Sequence, residues 1–334
     1  MAVIAWTVGV AAALLVLVSI ATALFSVWTA RRVEKRLPPP GRFIDVDGTT
    51  LHYLDEGSGP PLVLIHGLAG QMRVFTHSLL ERLKTEHRVI ILDRPGSGYS
   101  TRPAQASAAI SAQARTIARF IEAIGVEQPL VVGHSLGGAI ALALALNHPE
   151  QVAGLALLAP LTHPQEEMPP LLRGLAIGSP LLRWLVAWTS AVPLSMVNRD
   201  LVLDVAFGPD PVAPDYRTRG GGLLNLRPKS FINASRDLVA ANGDLLAMHR
   251  RYHELKMPVG VLYGTADRLL DAAKHGATMA AKVSGLDLEL IEGGGHMILI
   301  SSAERSAAFI KRMAQRAAAR AAQTAAPINK MTEQ

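Results

Sequence analysis

The sequence predicts an α/β fold: a mostly parallel eight-stranded sheet with helices on both faces, a helical insertion, and a transmembrane helix in front. Three observations predict it. Short apolar runs alternate with segments of helical periodicity, about a hundred residues in the second half break that alternation, and the first thirty positions hold no charged side chain.

The front segment comes first. From Ala2 to Ala30 only Thr7, Ser19, Thr22, Ser26 and Thr29 interrupt an apolar run. A helix needs about 20 such residues to cross the hydrocarbon core, so this one is long enough with some tilt. A cleaved signal peptide is the alternative. Against it stand the missing basic n-region, the length of the run, and bulky Trp28 where a small residue would precede cleavage after Ala30. Trp6 and Trp28 fit interfacial belts, and Arg31, Arg32, Lys35 and Arg36 would stay cytoplasmic by the positive-inside rule. That places the remaining chain on the cytoplasmic side. The net charge of +6 gathers largely in this cluster and in the Ala/Arg-rich tail. Basic residues flanking an apolar segment suit anionic headgroups better than nucleic acid, which calls for a basic folded face with stacking aromatics. The chain has no cysteine, which excludes disulfides and thiolate metal sites.

Pro38, Pro39, Pro40 and Gly41 make a stiff linker within residues 31–42. Phe43 to Leu54 reads as a hairpin around Asp47-Gly48, a strong tight-turn pair. Further strands are expected at Leu62–Ile65, Val89–Leu92, Leu130–Val132, Val152–Leu158, Val259–Leu262 and Leu286–Ile291. Helices are expected at Phe75–Leu83, Ser107–Ile124, Leu136–Asn147, Ala272–Val283 and Ala303–Ala318. Strands apolar on both faces that alternate with helices indicate a parallel sheet covered on both sides. The hairpin adds antiparallel strands at one edge.

The stretch from about 161 to 250 shows helical patterns and prolines but no strand repeat. It reads as a cap over the strand ends, where open α/β sheets bind ligands. Within it Leu171 to Val197 is very apolar, with Trp184 and Trp188 four apart and Pro180 and Pro193 expected to divide it into short helices. Such a cap roofs a pocket; a sharper reading has its outer face meet lipid as well. The catalytic unit is expected to span 43–315, and residues 316–334 to form an Ala/Arg-rich flexible tail, a frayed helix followed by disorder.

Gly133-His134-Ser135-Leu136-Gly137 fits G-x-S-x-G, with an apolar strand running in and a small apolar helix leaving. That context gives the motif its weight: a serine in so sharp a turn needs glycine neighbours, and the turn lifts its hydroxyl above the sheet at a helix N-terminus. His66-Gly67-Leu68 follows the third strand, and Asp93-Arg94-Pro95-Gly96-Ser97-Gly98-Tyr99-Ser100 the fourth. Gly264-Thr265-Ala266-Asp267 follows the penultimate strand and Gly293-Gly294-Gly295-His296 the last. With these motifs in this order, the chain resembles the α/β-hydrolase superfamily across roughly residues 43–312.

The resemblance implies a serine nucleophile at Ser135, a base at His296 and an orienting acid at Asp267, in the superfamily's chain order. A serine hydroxyl needs such a base, and the imidazole a carboxylate to fix its tautomer. Among eleven histidines the competitors are His134, whose side chain should point elsewhere beside Ser135, His66, which better suits shaping the oxyanion loop, and His163 in the cap. Asp271 rivals Asp267 but can instead cap the helix expected from Ala272. The oxyanion would be held by the backbone N–H groups of Leu136 and Leu68, each worth on the order of 3 kcal/mol in the transition state. Relatives that open epoxides or displace halide carry aspartate at the nucleophile position, so serine points to acyl transfer. No H-E-x-x-H spacing or dinucleotide fingerprint occurs, and no cofactor or metal is implied. The expectation is therefore a membrane-anchored carboxylic-ester hydrolase acting on a small hydrophobic ester or lipid through an acyl-enzyme. Cleavage of amide or C–C bonds by the same triad, and a non-catalytic scaffold of the same fold, remain open.

Overall fold

The computed structural model describes residues 1–165 and 167–325. Helix α1 (Ala2–Arg36) runs for 35 residues, about 52 Å at 1.5 Å per residue. Residues 2–18 are exposed, while Ser26, Thr29, Val33 and Leu37 are buried. Among the described residues α1 is the helix long and apolar enough for a membrane span or a signal sequence. The expected linker thus begins later than residue 31: the basic cluster continues the helix, because Arg, Glu and Lys are good helix formers and Lys35 and Arg36 fall in the last turn, facing its negative end.

Asp47 and Gly48 both take positive φ, 50° and 76°, the twist that a two-residue hairpin turn demands. They join β1 (Arg42–Val46) to β2 (Thr49–Glu56), paired antiparallel. β2 then lies antiparallel to β4 (Arg88–Leu92), and from there the sheet is parallel through β3 (Pro61–Ile65), β5 (Leu130–His134), β6 (Gly154–Leu158), β7 (Val259–Gly264) and β8 (Asp287–Ile291). The order is β1-β2-β4-β3-β5-β6-β7-β8, so the chain moves one way from β3 to β4 and the other way after β5. Loops leaving β3 and β5 diverge there and open a crevice at the strand ends.

Both faces are covered. Helices α2 (Arg73–Ser78) and α3 (Leu80–Leu83) link β3 to β4, α4 (Ile110–Ala123) links β4 to β5, and α5 (Leu136–Asn147) links β5 to β6. α4 packs on α5, and α3 on the C-terminal α12 (Ala303–Ala325). α5 is apolar all round and buried from Leu136 to Leu146, as a central helix must be. Between β6 and β7 lie α6 (Pro180–Val186), α7 (Val192–Val197), α8 (Arg199–Phe207) and α9 (Pro228–Met248). Pro193 does not separate α6 from α7 as expected. It lacks an N–H, and a wide π-type turn at Ala187–Ala191 absorbs the missing bond and carries the helix on. After β7 comes the short α10 (Thr278–Ala280), and after β8 α11 (Ile298–Ser301).

The first part of the expected tail is helical. Residues 316–325 belong to α12, whose alanines favour helix and whose Arg312 and Arg316 pair with Asp287 on β8 at 3.2 and 3.0 Å. Residues 326–334 lie outside the described residues.

The hairpin turn gives a clean test. Nothing lies within 4 Å of a methyl carbon placed at Gly48, so Gly48→Ala meets only the penalty of positive φ. Urea unfolding should show a loss of about 1 kcal/mol with unchanged denaturant dependence.

Candidate active site

Three loops meet over the crevice. The chain leaves β5 through Ser135, whose φ of 54° and ψ of −121° are strained for any residue with a side chain. The strain is held from both sides: Ser135 N–H donates to the Leu158 carbonyl at 3.1 Å, and its carbonyl accepts from Gly138 and Leu161 N–H at 2.9 and 3.0 Å. A side chain at Gly137 would overlap the carbonyls of Ile65 and His66, and a methyl carbon at Gly67 would lie 2.9 Å from Ser135 Cβ. Only glycine lets the elbow sit this close to the loop after β3. Ser135 is left partly exposed at the start of α5, and Leu136, as the first helical residue, has an N–H that helix geometry leaves without a partner.

The loop after β3 is held by buried polar groups. His66 Nε2 lies 3.0 Å from the Arg94 N–H and therefore accepts; its proton sits on Nδ1, which donates to the Gly67 carbonyl at 2.9 Å. Burial, then the positive charge of Arg94, lowers this imidazole to about 3, so it is neutral in ordinary buffers. Arg94 donates through Nε to the His66 carbonyl at 2.9 Å and through Nη2 to the Gly67 carbonyl at 3.0 Å. With the Gly67 carbonyl pinned, the trans peptide turns the Leu68 N–H the opposite way.

The third loop follows β8. His296 is 4% exposed, and its Nδ1 lies 2.6 Å from Asp267 Oδ2. The other oxygen of Asp267 accepts from the N–H groups of Leu269 and Leu270 at 2.8 and 3.0 Å. Burial pushes the Asp267 carboxyl up, but the His296 imidazole and these two amides outweigh it and hold it below the usual carboxylate range. His134 Nε2 sits 3.2 Å from the His296 carbonyl, which sets the His296 loop against the elbow. Burial, then the charge of His296, lowers His134 to about 3. Asp271, the rival acid, instead accepts from Ala273 and Lys274 N–H at 2.7 and 3.1 Å, as a helix cap does. His163 lies away from these loops, with Nδ1 2.8 Å from Thr162 Oγ1.

Two supports were absent from the sequence reading. Asp210, between α8 and α9, accepts from Gly295 N–H at 2.9 Å and Ser301 Oγ at 2.7 Å, bracing the His296 loop. Asp237 on α9 joins Arg94 Nη1 at 2.8 Å and Arg102 Nη1 at 2.6 Å, with all three side chains at most 1% exposed. The cap is thereby wired to the loop after β3. Only composition hints at such pairs, since the partners lie far apart along the chain.

Two measurements follow from these contacts. Asp237→Asn leaves two buried guanidinium groups without their carboxylate, and denaturant unfolding should show a loss of about 3–5 kcal/mol. The Asp267 carboxyl is lowered in the folded state, so its stabilisation is complete above its ordinary value of about 3.9 and disappears as pH falls through the lower folded value. The stability gap between wild type and Asp267→Asn should therefore narrow as unfolding is measured from about pH 6 down to about pH 3.

Comparison with known proteins agrees with this architecture. Residues 60–183 match the family described as alpha/beta hydrolase fold. Over 123 residues the chain is 37% identical to the 2-hydroxymuconate semialdehyde hydrolase of a Pseudomonas species, covering 36% of this chain and 44% of that protein. The chain spans only 32% and 44% of the first curated relatives it matches. Among solved structures, an alpha/beta hydrolase fold protein from Burkholderia ambifaria superposes with a TM-score of 0.69 at 21% identity, over 82% of this chain and 97% of that one. A bacterial membrane phospholipase A superposes with a TM-score of 0.60 at 26% identity, over 93% and 97%. Sheet order, elbow and matched residues together show that this chain has the α/β-hydrolase fold, with residues 60–183 matching that family.

Proposed function

We propose that the protein is a membrane-anchored serine hydrolase that cleaves carboxylic esters, with lipid or other hydrophobic esters as substrates. The observation that carries this reading is the 2.6 Å pair between Asp267 and His296 on the loop packed against the Ser135 elbow. In this reading His296 takes the Ser135 proton as the hydroxyl oxygen attacks the ester carbonyl, and Asp267 holds the imidazole in the tautomer whose Nε2 is free to accept. The tetrahedral oxyanion is held by the N–H groups of Leu136 and Leu68. Collapse expels the alcohol, which receives its proton from His296, and leaves an acyl-serine that water then hydrolyses by the same relay.

Helix α1 serves as the anchor. Its buried Ser26 and Thr29 pack on the cap, a contact that cleavage after Ala30 would remove. Arg31, Arg32, Lys35 and Arg36 keep the catalytic domain on the cytoplasmic side. Two neighbours support a hydrophobic ester: the membrane phospholipase A matches nearly the whole chain, and an esterase from Exiguobacterium antarcticum shares the fold. The semialdehyde hydrolase similarity favours one second reading, cleavage of a C–C bond beside a carbonyl by the same three residues.

A fluorophosphonate probe tests the nucleophile. Wild type should label, Ser135→Ala should not, and His296→Ala should lose on the order of a million-fold in ester turnover. Folded wild type that neither labels nor turns over any ester would defeat the enzymatic reading. A panel of esters of graded chain length, run beside a vinylogous diketone with a C–C bond to break, separates the two chemistries. Turnover confined to the diketone would replace the first reading with the second.

A further inference from the structure

The expected route from anchor to domain is a linker; the structure has a strap instead. Glu34 pairs with Arg227 and Lys229, each at 3.3 Å. The Leu37 carbonyl accepts from the Tyr99 hydroxyl and the Pro38 carbonyl from Arg73 Nη2, both at 2.5 Å. The Pro40 carbonyl meets His52 Nε2, while His52 Nδ1 is held by Asp93 at 2.7 Å. Val33 and Leu37 pack on Leu224. Higher up, Ser26 and Thr29 lie on the cap side of α1, which contacts the π-type turn, α7 and α9. Small residues at spacings of three and four let two helices approach closely. Helix, strap and cap therefore form one body, and the direction of α1 fixes which way the cap faces.

The outer side of that cap is apolar. Leu181, Trp184 and Val197 are 68%, 53% and 80% exposed, and Leu182, Leu185 and Leu194 stand beside them in the open. Between Gly174 and Asn198 the only charged side chain is Arg183. It is turned inward, donating to Ser235 Oγ at 2.9 Å and to the Ile177 carbonyl. Its inward neighbours Ala187, Ala191 and Val192 are buried. The exposed side thus has no charge across the whole of α6, the turn and α7. A soluble protein does not leave so continuous an apolar face in water. On α1, Arg32 lies over the Trp28 ring, 4.9 Å from its centroid, an aromatic and basic pair suited to the headgroup region.

We propose that the outward face of α6 and α7 is a second membrane contact, seated in the same leaflet that α1 enters. This inference rests on the anchor half of the proposed function and not on the chemistry. The occupant is a lipid leaflet, because the face adjoins a helix whose free portion is apolar all round and because the strap allows no swing away from the bilayer. Seated in this way, the cap places its apolar side about 5–10 Å below the headgroup boundary, as interfacial helices lie. A hydrophobic ester then passes from the leaflet to the strand ends without crossing water.

The chain has no cysteine, so single nitroxide labels can be placed cleanly on the full-length protein. Leu15→Cys on α1, Leu185→Cys on the cap and Ala319→Cys on α12 are labelled and placed in anionic lipid nanodiscs. Collision with oxygen, concentrated in hydrocarbon, is compared with collision with a water-soluble nickel chelate. The expected result is lipid-like exposure at 15 and 185 and aqueous exposure at 319. An aqueous signal at 185 with a lipid signal at 15 overturns the inference and leaves the anchor intact. An aqueous signal at both overturns the inference together with the anchor. Protection at 185 that appears only in discs holding two copies overturns it in favour of self-association. As a second readout, Leu185→Glu with Val197→Glu should lower turnover of a vesicle-borne ester several-fold and leave a short soluble ester unaffected.

Discussion

The close approach of two main chains at the centre of the sheet is the constraint on which the rest depends. β3 and β5 pair in parallel, and beyond their last hydrogen bonds the elbow at Ser135 lies against the His66–Leu68 loop with glycine at both 67 and 137. Any side chain there would push the loops apart by more than a hydrogen bond can follow. The serine would then move away from the Leu68 N–H, the donor proposed to share the oxyanion with Leu136. Local strain at Ser135 persists because β6 and the following residues clamp it through two main-chain hydrogen bonds, with Leu158 and Leu161, and Gly138 in the first turn of α5 adds a third.

Around that contact the protein uses buried polar groups as fixed struts. The neutral His66 ring and the Arg94 guanidinium meet at the Gly67 carbonyl, and Arg94 also holds the His66 carbonyl. The charge of Arg94 is matched by Asp237, which belongs to the cap. Such a pair adds little net stability over apolar packing, but it admits only one arrangement of its partners. The cap is therefore more than a roof, because its longest helix carries the counter-charge of the residue that shapes the loop after β3. Asp210 does the same for the loop that carries His296. The loops after β3 and β8 are thus both tied to the proline-rich insertion, which helps to fix their geometry.

Much of this was legible beforehand, and the reason differs by element. The sheet strands declare themselves through apolar runs, and the elbow through glycines packed into five positions. Asp267 could be separated from Asp271 because a carboxylate just before a helical pattern has an alternative use as a cap, which Asp271 fulfils. What escaped were contacts between distant residues. Asp237 lies 143 positions from Arg94 and Asp210 lies 85 from Gly295, and neither spacing leaves a trace in local pattern. The end of α1 was misplaced for a different reason: loss of apolarity marks where a hydrocarbon layer could stop, not where a helix must. The π-type turn before Pro193 likewise shows that proline forbids one hydrogen bond and not the helix around it.

Under the proposed membrane anchoring, the strap at Glu34 to Pro40 makes α1 a lever. A helix longer than the local hydrocarbon thickness accommodates by tilting, and here the tilt is passed undiminished to everything bolted to its base. The height of the strand ends above the headgroups then becomes a function of bilayer thickness. A thinner membrane would lean the whole molecule, and a thicker one would stand it upright. For the proposed lipid ester, lipid composition would in this way set how readily an acyl chain reaches Ser135, by the lean of the molecule alone.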